Sequence, residues 1–247
     1  MRITRRYKDI ERLSFKRFFA VLLVAAMLVG CSKEAKTPDP ENGNFVDVHA
    51  LREKNSDIFA WIYVKDTDIN LPLCQSSDGD DYFYATHNAD KEPATNACAY
   101  IEAANMQDMC DFNEVVHGVA PSELEKFLDK VYFDDHQFIL VYMEGNVLAY
   151  YVIAAYTTEG TRLVEKYDFS YAYGCQQFID DMYSQRSMTN IIRPGWEQGL
   201  SPEHFLLTMT APSPSDPSKQ ILVVGCLVGD PAGQIDREID WSNPEDE

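Results

Sequence analysis

Val48–Leu73, VHALREKNSDIFAWIYVKDTDINLPL, is the stretch that decides how this chain is read. Its first half lies in residues 45–58, where Phe45, Val48, Leu51 and Ile58 recur at mostly helical spacing, so an N-terminal helix is predicted there. Its second half changes character. Ala60–Val64 and Ile69–Leu73 are short runs of β type, bounded by polar residues, and they predict two strands.

The same alternation of short elements continues downstream. Ala97–Ile101 and Glu114–Val119 read as strands. Glu123–Val131 places Leu124, Phe127, Leu128 and Val131 along one side of a short amphipathic helix, with Ser122 as its cap. Gln137–Met143 and Val147–Tyr156 read as a hairpin turning at Glu144-Gly145-Asn146. Phe169–Arg186 is a longer helix with Tyr173, Phe178, Ile179, Met182 and Tyr183 along one side. Two last strands, Phe205–Thr210 and Ile221–Val228, flank the proline-rich Pro212–Ser218. There is no internal repeat. The 247 residues, 45% hydrophobic, suffice for one sizeable core but not two. Many short strands with a few inserted helices predict a mainly β domain with α elements, a small mixed-topology barrel over 45–229, followed by an acidic tail, 230–247.

Upstream, basic residues precede the apolar run Phe18–Gly30, which has signal-peptide length and is short for a membrane span. The run ends in Leu28-Val29-Gly30-Cys31, which resembles a bacterial lipobox. That resemblance implies lipid on Cys31, cleavage before it, and a signal peptide over 1–30. Residues 31–44 would then be the lipid-bearing cysteine and a polar, flexible tether. The expected partner is the membrane, reached through the lipid, and the expected place is the extracytoplasmic face of the cell membrane.

The formal charge is −19. Residues 1–30 hold seven basic and two acidic groups, so residues 31–247 carry 14 basic against 38 acidic residues, near −24. Such a surface repels phosphate backbones, which argues against nucleic acid as a partner. Besides Cys31 the cysteines are Cys74, Cys98, Cys110, Cys175 and Cys226. Their number is odd, none has CxxC spacing, and no His/Cys cluster has zinc-ligand spacing, so no metal or cofactor is expected. Export would permit a disulfide, but the sequence does not choose one.

The order of segments resembles that of class B sortases. Leu51, Asn55, Asp57, Ala60-Trp61-Ile62, Thr67, Ile69 and Pro72 match the opening of that family, and Gln75 and Asp81-Tyr82 continue the match. The resemblance spans nearly all of 45–229. It implies an eight-stranded sortase-type barrel with an N-terminal helix and a long helix before the last two strands. Sortases are cysteine transpeptidases. A thiolate attacks the backbone of a sorting motif, a histidine does acid/base work, and an arginine steadies the oxyanion.

All three positions depart from the family pattern. The family histidine follows a Tyr-Gly pair; here His117-Gly118-Val119 puts Val119 in its place. The family cysteine ends a Leu-Thr-Leu-Ser-Thr-Cys strand; here Leu207-Thr208-Met209-Thr210-Ala211-Pro212 puts Pro212 there. The family arginine opens the last strand; here Gln220 takes that place, or Lys219 with a slip of one. Valine cannot move a proton, proline has no nucleophile, and glutamine carries no charge. No catalytic residue is therefore assigned. The expected role is a binding or scaffold module for an extended peptide or a cell-envelope protein.

The rival reading is an active transpeptidase or peptidase with a rewired site. Its candidates are His117, two residues before Val119 and so about 6–7 Å from it on the same strand face, and Thr210, which with Thr208 shares a face with Pro212. Cys226 lies six residues along the strand from Gln220, about 20 Å away, and reads as a core thiol. His87 and Asp90 sit in a loop with no metal spacing. Asp78, Asp80 and Asp81 fail as a calcium loop, because the position that needs a bidentate glutamate is Ala89.

Overall fold

The computed structural model describes residues 46–185, 187 and 189–243. The expected signal peptide, Cys31 and the tether lie outside the described residues. Helix α1 (Val48–Lys54) begins where the Asp47 carboxylate accepts from the Ala50 N–H at 3.0 Å, a side-chain cap on a free helix-end donor. The chain becomes extended at Asn55 and enters β1 (Ile58–Tyr63), which pairs antiparallel with β2 (Asn70–Cys74). Thr67 holds the connection. Its hydroxyl donates to the Val64 carbonyl at 2.9 Å and accepts from the Ile69 N–H at 3.0 Å. Trp61 Nε1 donates to Asn70 Oδ1 across the pair at 2.7 Å. The Trp and the Thr-x-Ile pattern of the opening stretch thus serve the geometry of one hairpin.

β3 (Ala99–Ile101) runs parallel to β2, and β4 (Asn113–His117) antiparallel to β3. Two short helices come next, α2 (Pro121–Lys126) and α3 (Lys130–Asp135), then the hairpin β5 (Phe138–Met143) and β6 (Asn146–Glu159). Its two-residue loop needs the positive φ of Gly145, +79°. After α4 (Leu163–Lys166), α5 (Ala172–Ser184) and β7 (Ile191–Ile192) come β8 (Leu206–Pro212) and β9 (Lys219–Gly229). The strand order is β5-β1-β2-β3-β4-β8-β9-β6, and β5 also pairs with β6. The sheet therefore closes into an eight-stranded barrel, with β7 added beside β6, as the segment order implied.

Closure fills the interior with one face of each strand. Ile62, Leu73, Val116, Val141, Tyr150, Met209 and Val223 belong to a single buried cluster. Outside the barrel, α5 lays Phe178, Ile179 and Met182 on Phe112, Tyr156 and Val224. A smaller cluster of Ile58, Cys74, Tyr84, Cys98 and Tyr100 seats the loop 75–97 on the first strands. That loop is also tied by polar groups. Asn55 Nδ2 donates to the Tyr84 hydroxyl at 2.8 Å, Tyr84 donates to Asp57 Oδ2 at 2.8 Å, and Lys91 pairs with the same oxygen at 2.9 Å. The Asn-x-Asp of the opening stretch is the anchor of this loop.

Several expectations need correcting. The single helix over 123–131 is two, because the Asp129 carboxylate accepts from the N–H groups of Val131 and Tyr132, each at 3.0 Å, and starts α3 afresh. Val131 consequently faces solvent and Phe133 is buried. Ser122 is not the cap of α2: Ala120 precedes the helix, with Pro121 at its first position. Tyr173 is exposed, since it stands nine residues from Met182, about 180° around the helix. The segment after Gly229 is laid on the domain. Ile235 packs against the barrel core, Arg237 lies over the Phe112 and Phe205 rings at 5.3 and 5.2 Å, and the Asp240 carbonyl accepts from the Ala172 N–H at 2.7 Å.

Candidate functional site

A cleft of about 370 Å³ opens where β4 ends, β8 ends and β9 begins. Val119, Pro212 and Gln220, the positions that the resemblance sets against the family's histidine, cysteine and arginine, all line it, and so do His117, Thr210 and Lys219. The three segments singled out in the sequence therefore meet at one cleft. Cysteine does not occur among the lining residues. Cys226 is buried in the cluster beneath α5.

On the wall formed by β8 and β9, beside the cationic Lys219, the uncharged Thr210, Pro212 and Gln220 form a unit closed on itself. Antiparallel register sets Pro212 opposite Gln220 and Thr210 opposite Leu222. The Thr210 hydroxyl donates to Gln220 Oε1 at 3.0 Å. Gln220 Nε2 donates to the carbonyls of Glu159 and Thr161, at 3.1 and 2.7 Å. Both ends of the amide are therefore used to fasten β9 and Thr210 to the segment after β6. Thr208, deeper on the strand, is fully buried and donates to Asn113 Oδ1 at 2.8 Å.

The opposite wall is charged. β4 stops at His117 rather than at Val119, because Gly118 turns the chain with φ of +81°. A Cβ there would lie 2.1 Å from the Cys98 carbonyl oxygen, so only glycine fits. The turn breaks the strand alternation assumed for 117 and 119. Val119 instead packs into the barrel core, 2% exposed. The His117 ring stacks on Tyr100 with centroids 5.2 Å apart. Its Nε2 lies 3.2 Å from Glu102 Oε1, within ion-pair range but off hydrogen-bond alignment.

Glu102 is the centre of this wall, and the sequence reading missed it. The residue is 1% exposed, and Arg162 grips it with Nε on Oε1 at 3.2 Å and a second nitrogen on Oε2 at 2.5 Å. Arg162 also reaches Glu165 at 2.8 Å and Asp81 at 3.7 Å. Burial pushes the Glu102 carboxyl up, but His117 and Arg162 outweigh it and hold it at about 2. The same contact with Glu102 raises Arg162 further above its ordinary value. Arg162 stands 60 positions from Glu102 in the chain and in no motif. The one local signal was a lone glutamate directly after the apolar strand Ala99–Ile101.

The remaining candidates lie apart from chemistry of their own. His87 stacks on Phe83 at 4.1 Å and sits 2.9 Å from that residue's carbonyl. Asp80 accepts from the Tyr82 N–H, and Asp81 from the Ala103 N–H at 2.7 Å, which makes them turn and loop fasteners.

Solved structures place this architecture. A mutant form of Clostridium perfringens sortase B superposes with a TM-score of 0.63 at 22% identity, covering 73% of this chain and 86% of that one. A Staphylococcus aureus sortase B–substrate complex gives 0.61 at 17% identity, over 92% and 99%. The fold is that of a class B sortase. Among curated proteins, the Listeria monocytogenes sortase B is 27% identical over 111 residues. That match takes in 42% of this chain, and the chain spans 44% of the relative's length. No protein-family model matches the sequence. The sortase-type barrel is therefore in place, and Val119, Pro212 and Gln220 line one cleft on it.

Proposed function

We infer that this chain is a non-catalytic member of the sortase fold, a lipid-anchored module whose cleft receives an extended peptide or a segment of a cell-envelope protein. One observation carries the reading: the cleft in which the aligned reactive positions meet is lined by valine, proline and glutamine at those positions, with no cysteine. Without a thiol there is no acyl-enzyme route. The threonine beside Pro212 already spends its proton on Gln220. What the cleft offers is a concave shape, on a fold shared with an S. aureus sortase B solved as a substrate complex. The lipid on Cys31 would hold the module at the extracytoplasmic face of the membrane.

The His117–Glu102 pair favours a second reading, since a histidine beside a carboxylate is the usual form of a general base. A sorting-motif peptide carrying a hydroxyl-reactive electrophile, a phosphonate ester, separates the two. The proposal expects reversible binding and an unchanged intact mass. A covalent adduct at a cleft residue would sustain the rewired enzyme instead. Intact mass of chain extracted from native membranes tests the anchor: an unmodified Cys31, or residues 1–30 retained, would remove it.

A further inference from the structure

The geometry points to Cys74 and Cys98 as a disulfide-forming pair, a covalent modification site that staples one wall of the cleft. Cys74 ends β2, and Cys98 stands one residue before β3, the strand parallel to it. Register places Leu73 opposite Ala99, so the two cysteines are diagonal neighbours, and alternation puts them on the same face. Both side chains are fully buried, and their sulfurs lie 2.9 Å apart. That is far inside ordinary sulfur–sulfur contact. Bond formation asks the sulfurs to approach by only about 0.9 Å more.

A bland alternative is that both thiols are small core hydrophobes. Cys175 and Cys226 fit that description: each is buried in the cluster under α5, with no second sulfur against it among the described residues. The Cys74–Cys98 contact does not fit it. It lies at the centre of the small cluster that seats loop 75–97, and that loop supplies Tyr82, Ala85 and Asn96 to the cleft. A bond between 74 and 98 closes that loop into a ring. It would act together with the adjacent Asn55–Tyr84–Asp57 network to fix the cleft wall.

The chemistry is thiol–disulfide exchange with an external disulfide oxidant, of protein or glutathione type. One S–S bond forms in the chain and the oxidant's S–S bond breaks. Two electrons and two protons pass to the oxidant, which leaves as two thiols. Because both sulfurs are buried and burial pushes the Cys74 thiol up, the exchange belongs to folding rather than to the folded state.

The test is to refold the full chain with an oxidised/reduced glutathione couple, alkylate it in denaturant, digest with trypsin and map the peptides without reduction. Cleavage after Lys91 separates the two cysteines. The expected result is peptide 66–91 joined to peptide 92–126, lighter than the sum of the two thiol peptides by two hydrogens. The linkage should survive Cys110→Ser, which removes the other cysteine of the second peptide, and vanish on reduction. If both peptides emerge alkylated at every cysteine, or the cross-link runs through Cys110, Cys175 or Cys226, the assignment is wrong. The mapping reads the wild-type chain, so it does not depend on whether a Cys74 or Cys98 variant folds. It is also independent of whether the cleft binds peptide.

Discussion

The two walls of the cleft use their polar groups in different ways. On the β8–β9 wall, Thr210, Pro212 and Gln220 form a neutral unit whose polar atoms are consumed by one another and by the carbonyls of Glu159 and Thr161. On the β4 wall, His117, Glu102 and Arg162 keep a charged network around a buried carboxylate. The uncharged side chains of the first wall act as fasteners. The second wall holds ionisable side chains, and they too are partnered within the protein. The lesson is that polar side chains can line a cleft and still be satisfied from within the protein, one wall by hydrogen bonds between uncharged groups and the other by ion pairing.

The most severe way to break the comparison is Gly118→Ala. A methyl at this positive φ meets the Cys98 carbonyl at 2.1 Å, and the backbone must move. A loss of about 4 kcal/mol or more is expected, read as a failure to fold or a large drop in the denaturant midpoint. Nearly wild-type stability would show that the turn is not as described.

Acid comes next. Glu102 is held at about 2 against an ordinary 4.5. A carboxyl with a depressed value contributes stability that is complete above about pH 4.5 and is lost as pH falls from there toward 2. The amount at neutral pH is about 3 kcal/mol. Denaturant melts across that window should lose stability steeply in the wild type and much less in Glu102→Gln, which starts lower at neutral pH. Parallel curves would mean the network contributes little.

The neutral wall should yield less. Gln220→Ala removes three hydrogen bonds and is expected to cost about 1–2 kcal/mol, with no change in the acid limb. Coupling to Thr210→Val in a double-mutant cycle would sharpen the assignment, because the two side chains share a bond; strict additivity would argue against it.

Glu114 provides the smallest effect and the opposite sign. It lies on the same strand as His117, is fully buried, and has one oxygen with no hydrogen-bond partner. Burial, aided by Asp111, pushes its carboxyl well up. A raised carboxyl costs stability as pH climbs above about 4.5. Glu114→Gln should therefore stabilise the chain at pH 8 by on the order of 1 kcal/mol, with a smaller gain near pH 4. A destabilised variant at pH 8 would show that the carboxylate is solvated or paired.

Much of the fold was legible because local patterns and their order agree. The Leu51–Pro72 stretch encodes a helix, a hairpin and the loop anchors Asn55 and Asp57 together, and each was readable from residue type and spacing. The split between α2 and α3 was not, since it depends on whether Asp129 caps a new helix or rides on an old one. β7 and α4 are too short to show a period. That Val119, Pro212 and Gln220 come together at one cleft was legible through the order of the strands. Glu102 and Arg162 were not: their meeting is made by barrel closure across 60 residues, and a buried ion pair leaves no periodic trace in the sequence.

The central claim is that a sortase-type cleft persists here without sortase chemistry. It is tested most directly by incubating the purified chain with a sorting-motif peptide and an amine acceptor, and tracking peptide, hydrolysis product and transpeptidation product by mass spectrometry. The prediction is intact peptide with no product and no protein-bound intermediate, both for the wild type and for Pro212→Cys alone, since a thiol without its base and cation gains little. Turnover by the wild-type chain that His117→Ala abolishes would contradict the account and make His117 the base of a rewired enzyme.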